Sequence, residues 1–162
     1  MILSEKVALV TGGSKGIGRS ICLALAANGC DIAVNYAHDL ASAETTVNLV
    51  KQLGRRAISF KADVSKIDEV DAMTDSVLKE FGKIDILVNN AGFNKDGFLT
   101  LMPQEDWESV ISTNLTGVFN CCKIVSKHMI LLWTPLSRQL RAKVKVVFDV
   151  KVLILEEEVV VV

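Results

Sequence analysis

Thr11-Gly12-Gly13-Ser14-Lys15-Gly16-Ile17-Gly18 joins an apolar run, Val7-Ala8-Leu9-Val10, to the stretch Arg19-Ser20-Ile21-Cys22-Leu23-Ala24-Leu25-Ala26. The order is strand, glycine turn, helix. A helix N-terminus behind such a turn offers free backbone N–H groups and the positive end of the helix dipole, and together these hold an anion. Glycine adds no Cβ to keep a pyrophosphate away from the backbone. The stretch therefore predicts a dinucleotide site at the carboxyl end of the first strand.

Outward from the turn, strand and helix alternate. Strand-like runs fall at 6–11, 31–36, 57–61 and 84–89. Their inner positions are largely apolar in succession, as in Ile84-Asp85-Ile86-Leu87-Val88, which suits parallel strands buried on both faces. A helix is expected with Ser65 as N-cap and Asp68-Glu69 in its first turn. Its apolar stripe is Ile67, Val70, Met73, Val77 and Phe81, and Gly82 stands where a C′ glycine ends a helix. A second helix spans 41–53 and ends at Gly54. A third has Pro103 in its first turn, with Trp107, Val110 and Ile111 turned inward. After a short break, 112–133 reads as a long helix with Leu115, Val118, Phe119, Cys122, Val125 and Met129 inward.

This alternation predicts right-handed βαβ crossovers and an α/β fold, a Rossmann-like doubly wound parallel sheet. Residues 1–133 form its incomplete, C-terminally truncated domain, and 134–162 an atypical tail. Pro135 should stop the long helix. From 143 to 155 the chain alternates: Val144, Val146, Phe148, Val150, Val152 and Ile154 on one side, Lys143, Lys145, Asp149 and Lys151 on the other. That is the period of a half-buried strand, expected to pair at the edge of strand four or to remain a poorly held strand that promotes association. The basic residues Arg138, Arg141, Lys143 and Lys145 read as a solvated face.

The chain has 162 residues, half of them apolar, and a net charge of −1. That balance offers nothing to nucleic acid or an anionic membrane surface. No apolar run approaches the roughly 18 residues that span a bilayer. The first residues lack the pattern of a secretory signal, so a cytoplasmic location is expected, with a removed organelle-targeting segment left open. Cys22, Cys30, Cys121 and Cys122 form no C-x-x-C pair and have no His cluster with them, so no metal site is expected. They read as reduced, small hydrophobes.

Four elements, in order, resemble the short-chain dehydrogenase/reductase family: Thr11-Gly12-x-x-x-Gly16-x-Gly18, Asp63-Val64, Asn89-Asn90-Ala91-Gly92, and Asn114 within Thr113-Asn114-Leu115. Within the family the chain is most similar to the 3-oxoacyl-(acyl-carrier-protein) reductases of fatty acid biosynthesis. The resemblance runs from about residue 6 to about residue 129. It implies cofactor binding by Thr11, Gly12, Ser14, Lys15, Gly16, Ile17 and Gly18 at the turn. It implies contact by Asn35, Tyr36 and His38 around the end of strand two, by Asp63 and Val64 at the adenine ring, and by Asn90, Ala91 and Gly92 along the groove. Lys15, with no Asp or Glu ending strand two where an NAD enzyme grips the ribose, favours NADP over NAD. The implied reaction is hydride transfer from NADPH to a 3-keto thioester.

The rest of the family's catalytic set does not match. Its serine and its Tyr-x-x-x-Lys, which supply the proton donor for the developing alkoxide, have no counterpart; Tyr36 is the sole tyrosine and Ser137 the last serine. Only Asn114 carries over as catalytic, and without its relay partners it should simply bond neighbouring backbone. The expectation is a catalytically incomplete cofactor-binding part of an oxidoreductase. The alternatives are a truncated subunit that pairs, with its own kind or a full-length reductase, through the long helix around 112–133, or a splicing or reading-frame product without selected function.

Overall fold

In the parallel part of the sheet, β1 (Val7–Val10) is flanked by β2 (Asp31–Tyr36) and β4 (Ile86–Val88), with β3 (Ala57–Lys61) outside β2. The computed structural model describes residues 3–131, 152–155 and 159–161. Around the sheet lie α1 (Gly16–Ala27), α2 (Leu40–Gln52), α3 (Ile67–Phe81), α4 (Gln104–Ile111) and α5 (Gly117–Leu131). The expected Rossmann-like parallel arrangement is present. Fourth in the chain, β4 is shorter than the 84–89 run.

The apolar runs are buried on both faces because successive side chains point to opposite sides. Ala8, Val10, Ile32, Val34, Ile86 and Val88 pack with Cys22 and Ala26 of α1 and Ala43, Val47 and Val50 of α2. Leu9, Ala33 and Leu87 pack with Val70, Met73 and Val77 of α3 and Cys121, Val125 and Met129 of α5. Each fully buried Val, Leu or Ile stabilises by about 1.5–3 kcal/mol relative to exposure. This two-sided core fixes the height at which the β1–α1 turn leaves the sheet. Among the described residues, no helix is long and apolar enough to cross a membrane.

Several expectations need correction. Ser65 does not cap α3: Lys66 occupies the N-cap, while the Ser65 backbone and hydroxyl both donate to Asp63 Oδ1. A turn closed by an aspartate two residues back takes the place of the serine cap. Ile67 is exposed and Phe81 half-buried, whereas Gly82 does end the helix in the left-handed region. The long helix is interrupted at its start, because Ser112–Thr116 form a π turn before α5 begins. That extra residue per turn shifts the phase of the stripe. Hence Leu115 and Phe119 are exposed and Val118 and Cys122 half-buried; the buried stripe is Gly117, Cys121, Val125 and Met129. Trp107 on α4 is exposed too, with Val110 and Ile111 half-buried.

At the far edge, β5 (Val152–Leu155) runs antiparallel to β4, with Ile86 opposite Ile154 and Val88 opposite Val152. β6 (Val159–Val161) pairs antiparallel with β5 and completes the order β3-β2-β1-β4-β5-β6. The tail thus pairs at the expected edge over its last part. The earlier part of its alternating run, 143–151, together with Pro135, Ser137 and the basic residues at 138–145, lies outside the described residues.

Candidate functional site

A groove of about 740 Å³ crosses the carboxyl edge of the parallel strands. That volume lies within the range of small-molecule and cofactor sites. On one side stands the β1–α1 turn. Lys15 holds the N-cap of α1 with extended backbone and no side-chain cap, and the first helical turn carries no acid. The positive end of this helix therefore opens uncompensated beside Ile17 and Gly18, both of which line the groove. Gly16 has φ +55, and a Cβ there would meet nothing within 4 Å, so it faces open space. Gly18 is the opposite case. A Cβ on it would lie 2.2 Å from the Gly12 carbonyl oxygen and 2.5 Å from Asn90 Nδ2. One glycine keeps the approach to the turn open; the other lets the helix close on the turn.

Three polar side chains hold the turn from below. Thr11 is buried, and its hydroxyl donates to the Val88 carbonyl at 3.2 Å while accepting from the backbone N–H groups of Asn90 and Ala91. Asn90 Nδ2 donates to the carbonyls of Thr11 and Gly12, at 3.0 and 3.1 Å. Asn35, 1% exposed, accepts from the Gly12 N–H and donates to the Ala62 carbonyl at 3.0 Å. Strands β1, β2 and β4 and the segment after β3 are thereby cross-tied at their carboxyl ends. A fourth tie comes from α1: Arg19 Nη2 donates to the carbonyls of Ser14 and Ser42, and its Nε to Thr46 Oγ1 at 2.9 Å.

At the end of β2 and just past it, Tyr36, Ala37, His38 and Asp39 line the groove. Asp39 caps α2, accepting from the Ser42 N–H at 2.9 Å. That bond, with Lys15 and Arg19 nearby, holds its carboxyl below the ordinary value. Opposite lie Ala62, Asp63, Val64 and Ser65. Partial burial works to raise the Asp63 carboxyl. The Ser65 hydroxyl and N–H outweigh it, helped by Lys66 and His38, and the net shift is downward.

At the other end Asn90, Ala91, Gly92 and Phe93 meet Ser109, Ser112 and Thr113. Asn114 does not bond its own helix. Its Oδ1 accepts from the Phe93 N–H at 3.0 Å and its Nδ2 donates to the Phe93 carbonyl at 2.8 Å, tying the π turn to the segment after β4. Neighbouring Asn89 donates to Cys122 Sγ at 3.3 Å, and its buried Oδ1 has no partner among the described residues.

The structure thus brings Gly12, Ser14, Lys15, Ile17, Gly18, Asn35, Tyr36, His38, Asp63, Val64, Asn90, Ala91 and Gly92 to one groove. Thr11 lies beneath it, Gly16 at the open rim of the turn, and Asn114 behind Phe93. Sequence reading missed Asp39, Phe93 and Ser109. Asp39 had a signal, an aspartate at a helix start; Phe93 and Ser109 come to one groove only through folding.

An edge-of-sheet groove behind a glycine turn defines a dinucleotide-fold α/β protein. Sequence comparison makes the class specific: the family model described as short chain dehydrogenase matches residues 6–139, and the chain belongs to that family. It is 49% identical over 126 residues to the 3-oxoacyl-(acyl-carrier-protein) reductase FabG of Staphylococcus epidermidis, covering 78% of this chain and 52% of that protein. It is 48% identical over 128 residues to the 3-oxoacyl-(acyl-carrier-protein) reductase of Synechocystis, covering 79% and 52%. A Burkholderia cenocepacia short chain dehydrogenase crystallised in complex with NADP superposes with a TM-score of 0.76 at 38% identity, over 79% of this chain and 52% of that one. The chain spans about half the length of these relatives.

Proposed function

We propose that the groove holds a nicotinamide dinucleotide, NADP in preference to NAD, and that this chain is the cofactor-binding part of a 3-oxoacyl-(acyl-carrier-protein) reductase-like oxidoreductase. One juxtaposition carries the reading: an uncapped helix N-terminus at an open glycine turn shares a single groove with the Asp63–Val64 wall. The α1 N-terminus and the backbone from Gly12 to Gly18 suit a pyrophosphate. Asp63 and Val64 suit the adenine, and Asn90, Ala91 and Gly92 the middle of the cofactor. Lys15 and His38 supply cationic and hydrogen-bonding groups where a 2′-phosphate would lie, and Asp39 is engaged as a helix cap beside Lys15 and Arg19. When bound, the cofactor would supply hydride.

The 162 residues hold no Tyr-x-x-x-Lys. We infer that these residues alone bind the cofactor without reducing a 3-keto thioester at an appreciable rate, since a positioned general acid contributes typically about 10²–10⁴-fold. The exposed Trp107, Leu115 and Phe119 favour a second reading as well, in which the α4–α5 face pairs with another reductase chain. Fluorescence titration with NADPH and NADH tests the first reading. NADPH should bind more tightly, and Lys15→Met should narrow the gap by roughly tenfold, the worth of one charge-assisted contact. Equal or tighter binding of NADH by the unmodified chain contradicts the NADP preference.

A further inference from the structure

Asn120 lies outside the groove, yet it acts on the groove wall. It is 4% exposed on the face of α5 that packs inward, between Gly117 and Cys121. Its Nδ2 donates to the Val64 carbonyl at 3.0 Å and to the Ser65 carbonyl at 3.2 Å. A carboxamide buried on an otherwise apolar stripe is costly unless it is bonded, and here its bonds reach a segment more than fifty residues away in the chain.

The approach that permits those bonds is itself built in. A Cβ on Gly117 would fall 2.7 Å from Val64 Cγ2, so any larger residue there would push the helix off the loop. Ser65 is consequently held from both sides. Asn120 takes its carbonyl; Asp63 Oδ1 accepts its N–H at 3.0 Å and its hydroxyl at 2.7 Å. The Asp63 N–H is tied in turn to Glu69 Oε2 at 2.8 Å. The wall segment has little freedom left, and its orientation is set from α5.

We propose that Asn120 is a positioning residue for the adenine end of the cofactor. It fixes residues 63–65 from behind, so that the Asp63 carboxylate and the Val64 backbone stand at a set height along the groove. The inference rests on the reading that the groove holds a nicotinamide dinucleotide. Removing a supporting hydrogen bond behind a binding residue loosens the geometry that the first contact needs.

The test compares Asn120→Leu, which keeps the volume and removes the donor, with Val125→Ala, which loosens the same helix face but removes no hydrogen bond to the loop. Two quantities are read: the dissociation constant for adenosine 2′,5′-bisphosphate, which occupies only the adenine end, and amide exchange at Ser65 in the free protein. Asn120→Leu should weaken the bisphosphate and NADPH by the same factor, roughly tenfold, and speed exchange at Ser65. Val125→Ala should lower the melting temperature while leaving both unchanged. Should Asn120→Leu not fold, Asn120→Ala removes the same two bonds with less bulk, and the same results are expected. Unmodified chain that binds NADPH, with an Asn120 variant that binds the bisphosphate normally, overturns the inference. So does an equal loss in Val125→Ala, which would reduce Asn120 to ordinary packing. Failure of the unmodified chain to bind NADPH overturns the reading of the groove instead, and with it this role for Asn120.

Discussion

The two ends of the groove are built differently. From Gly12 to Ser65, buried and half-buried side chains from several elements converge on backbone atoms: Asn35 on Gly12 and Ala62, Asn90 on Thr11 and Gly12, Arg19 on Ser14 and Ser42, Asn120 on Val64 and Ser65. At the other end Asn114 meets Phe93, and past the polar stretch 94–97 the chain exposes apolar side chains, with Phe98, Leu99 and Leu101 each about four-fifths accessible. An anion site needs backbone N–H groups held still, and short polar side chains do that from within the sheet. The Phe93–Leu101 stretch instead presents large side chains to solvent, a surface suited to covering by further chain or a partner.

Breaking the tied end at Gly18 should have the largest effect. Gly18→Val places side-chain atoms on the Gly12 carbonyl and the Asn90 amide. It should cost about 3 kcal/mol or more, at the upper end for overpacking, and remove cofactor binding; urea denaturation with a midpoint like the unmodified chain would contradict the close-approach role. Gly16 separates fold from ligand. Gly16→Ala meets no neighbour but must adopt a positive φ, at a cost of about 1–2 kcal/mol. NADPH affinity should drop further than that destabilisation alone implies if the pyrophosphate approaches the open side of Gly16, as proposed. Affinity that stays unchanged while stability falls would move the ligand elsewhere.

Acid should loosen the tied end next. The folded Asp63 carboxyl titrates below its ordinary value. Its contribution is complete above the unfolded value near 4 and is lost as pH falls through the lower folded one. Stability should therefore decline with pH below about 4, and Asp63→Asn should shrink that decline. A stability profile over this range that is identical in the two proteins would count against it. The smallest effect belongs to the apolar surface. Phe119→Ser should change stability by no more than about 0.5 kcal/mol while reducing self-association in light scattering, since Phe119 is 60% exposed. A large loss of stability would place Phe119 in a core instead.

The strands and the turn were legible because their signals are local. Val7-Ala8-Leu9-Val10 can be read as a strand buried on both faces, and Gly82 as a helix end, without knowing what touches them. Trp107, Leu115 and Phe119 were misjudged because periodicity finds an apolar stripe but does not say whether anything covers it. The π turn at Ser112–Thr116 then rotated the stripe by a fraction of a turn. Of the site, the residues on the glycine turn and at the strand ends were readable from motif order. Arg19 and Asn120 were not: each acts on backbone brought close only by folding, and an arginine or asparagine in a helix carries no mark of such a partner.

Amide hydrogen exchange of the unmodified chain with and without saturating NADPH tests the groove most directly. Slowed exchange should be confined to the turn from Gly12 to Gly18, the Asp63–Ser65 wall and the Asn90–Phe93 segment, with the opposite, amino-terminal edge of the sheet unaffected. Protection that leaves the turn untouched, or no saturable change at all, would contradict the assignment of this groove to a nicotinamide dinucleotide.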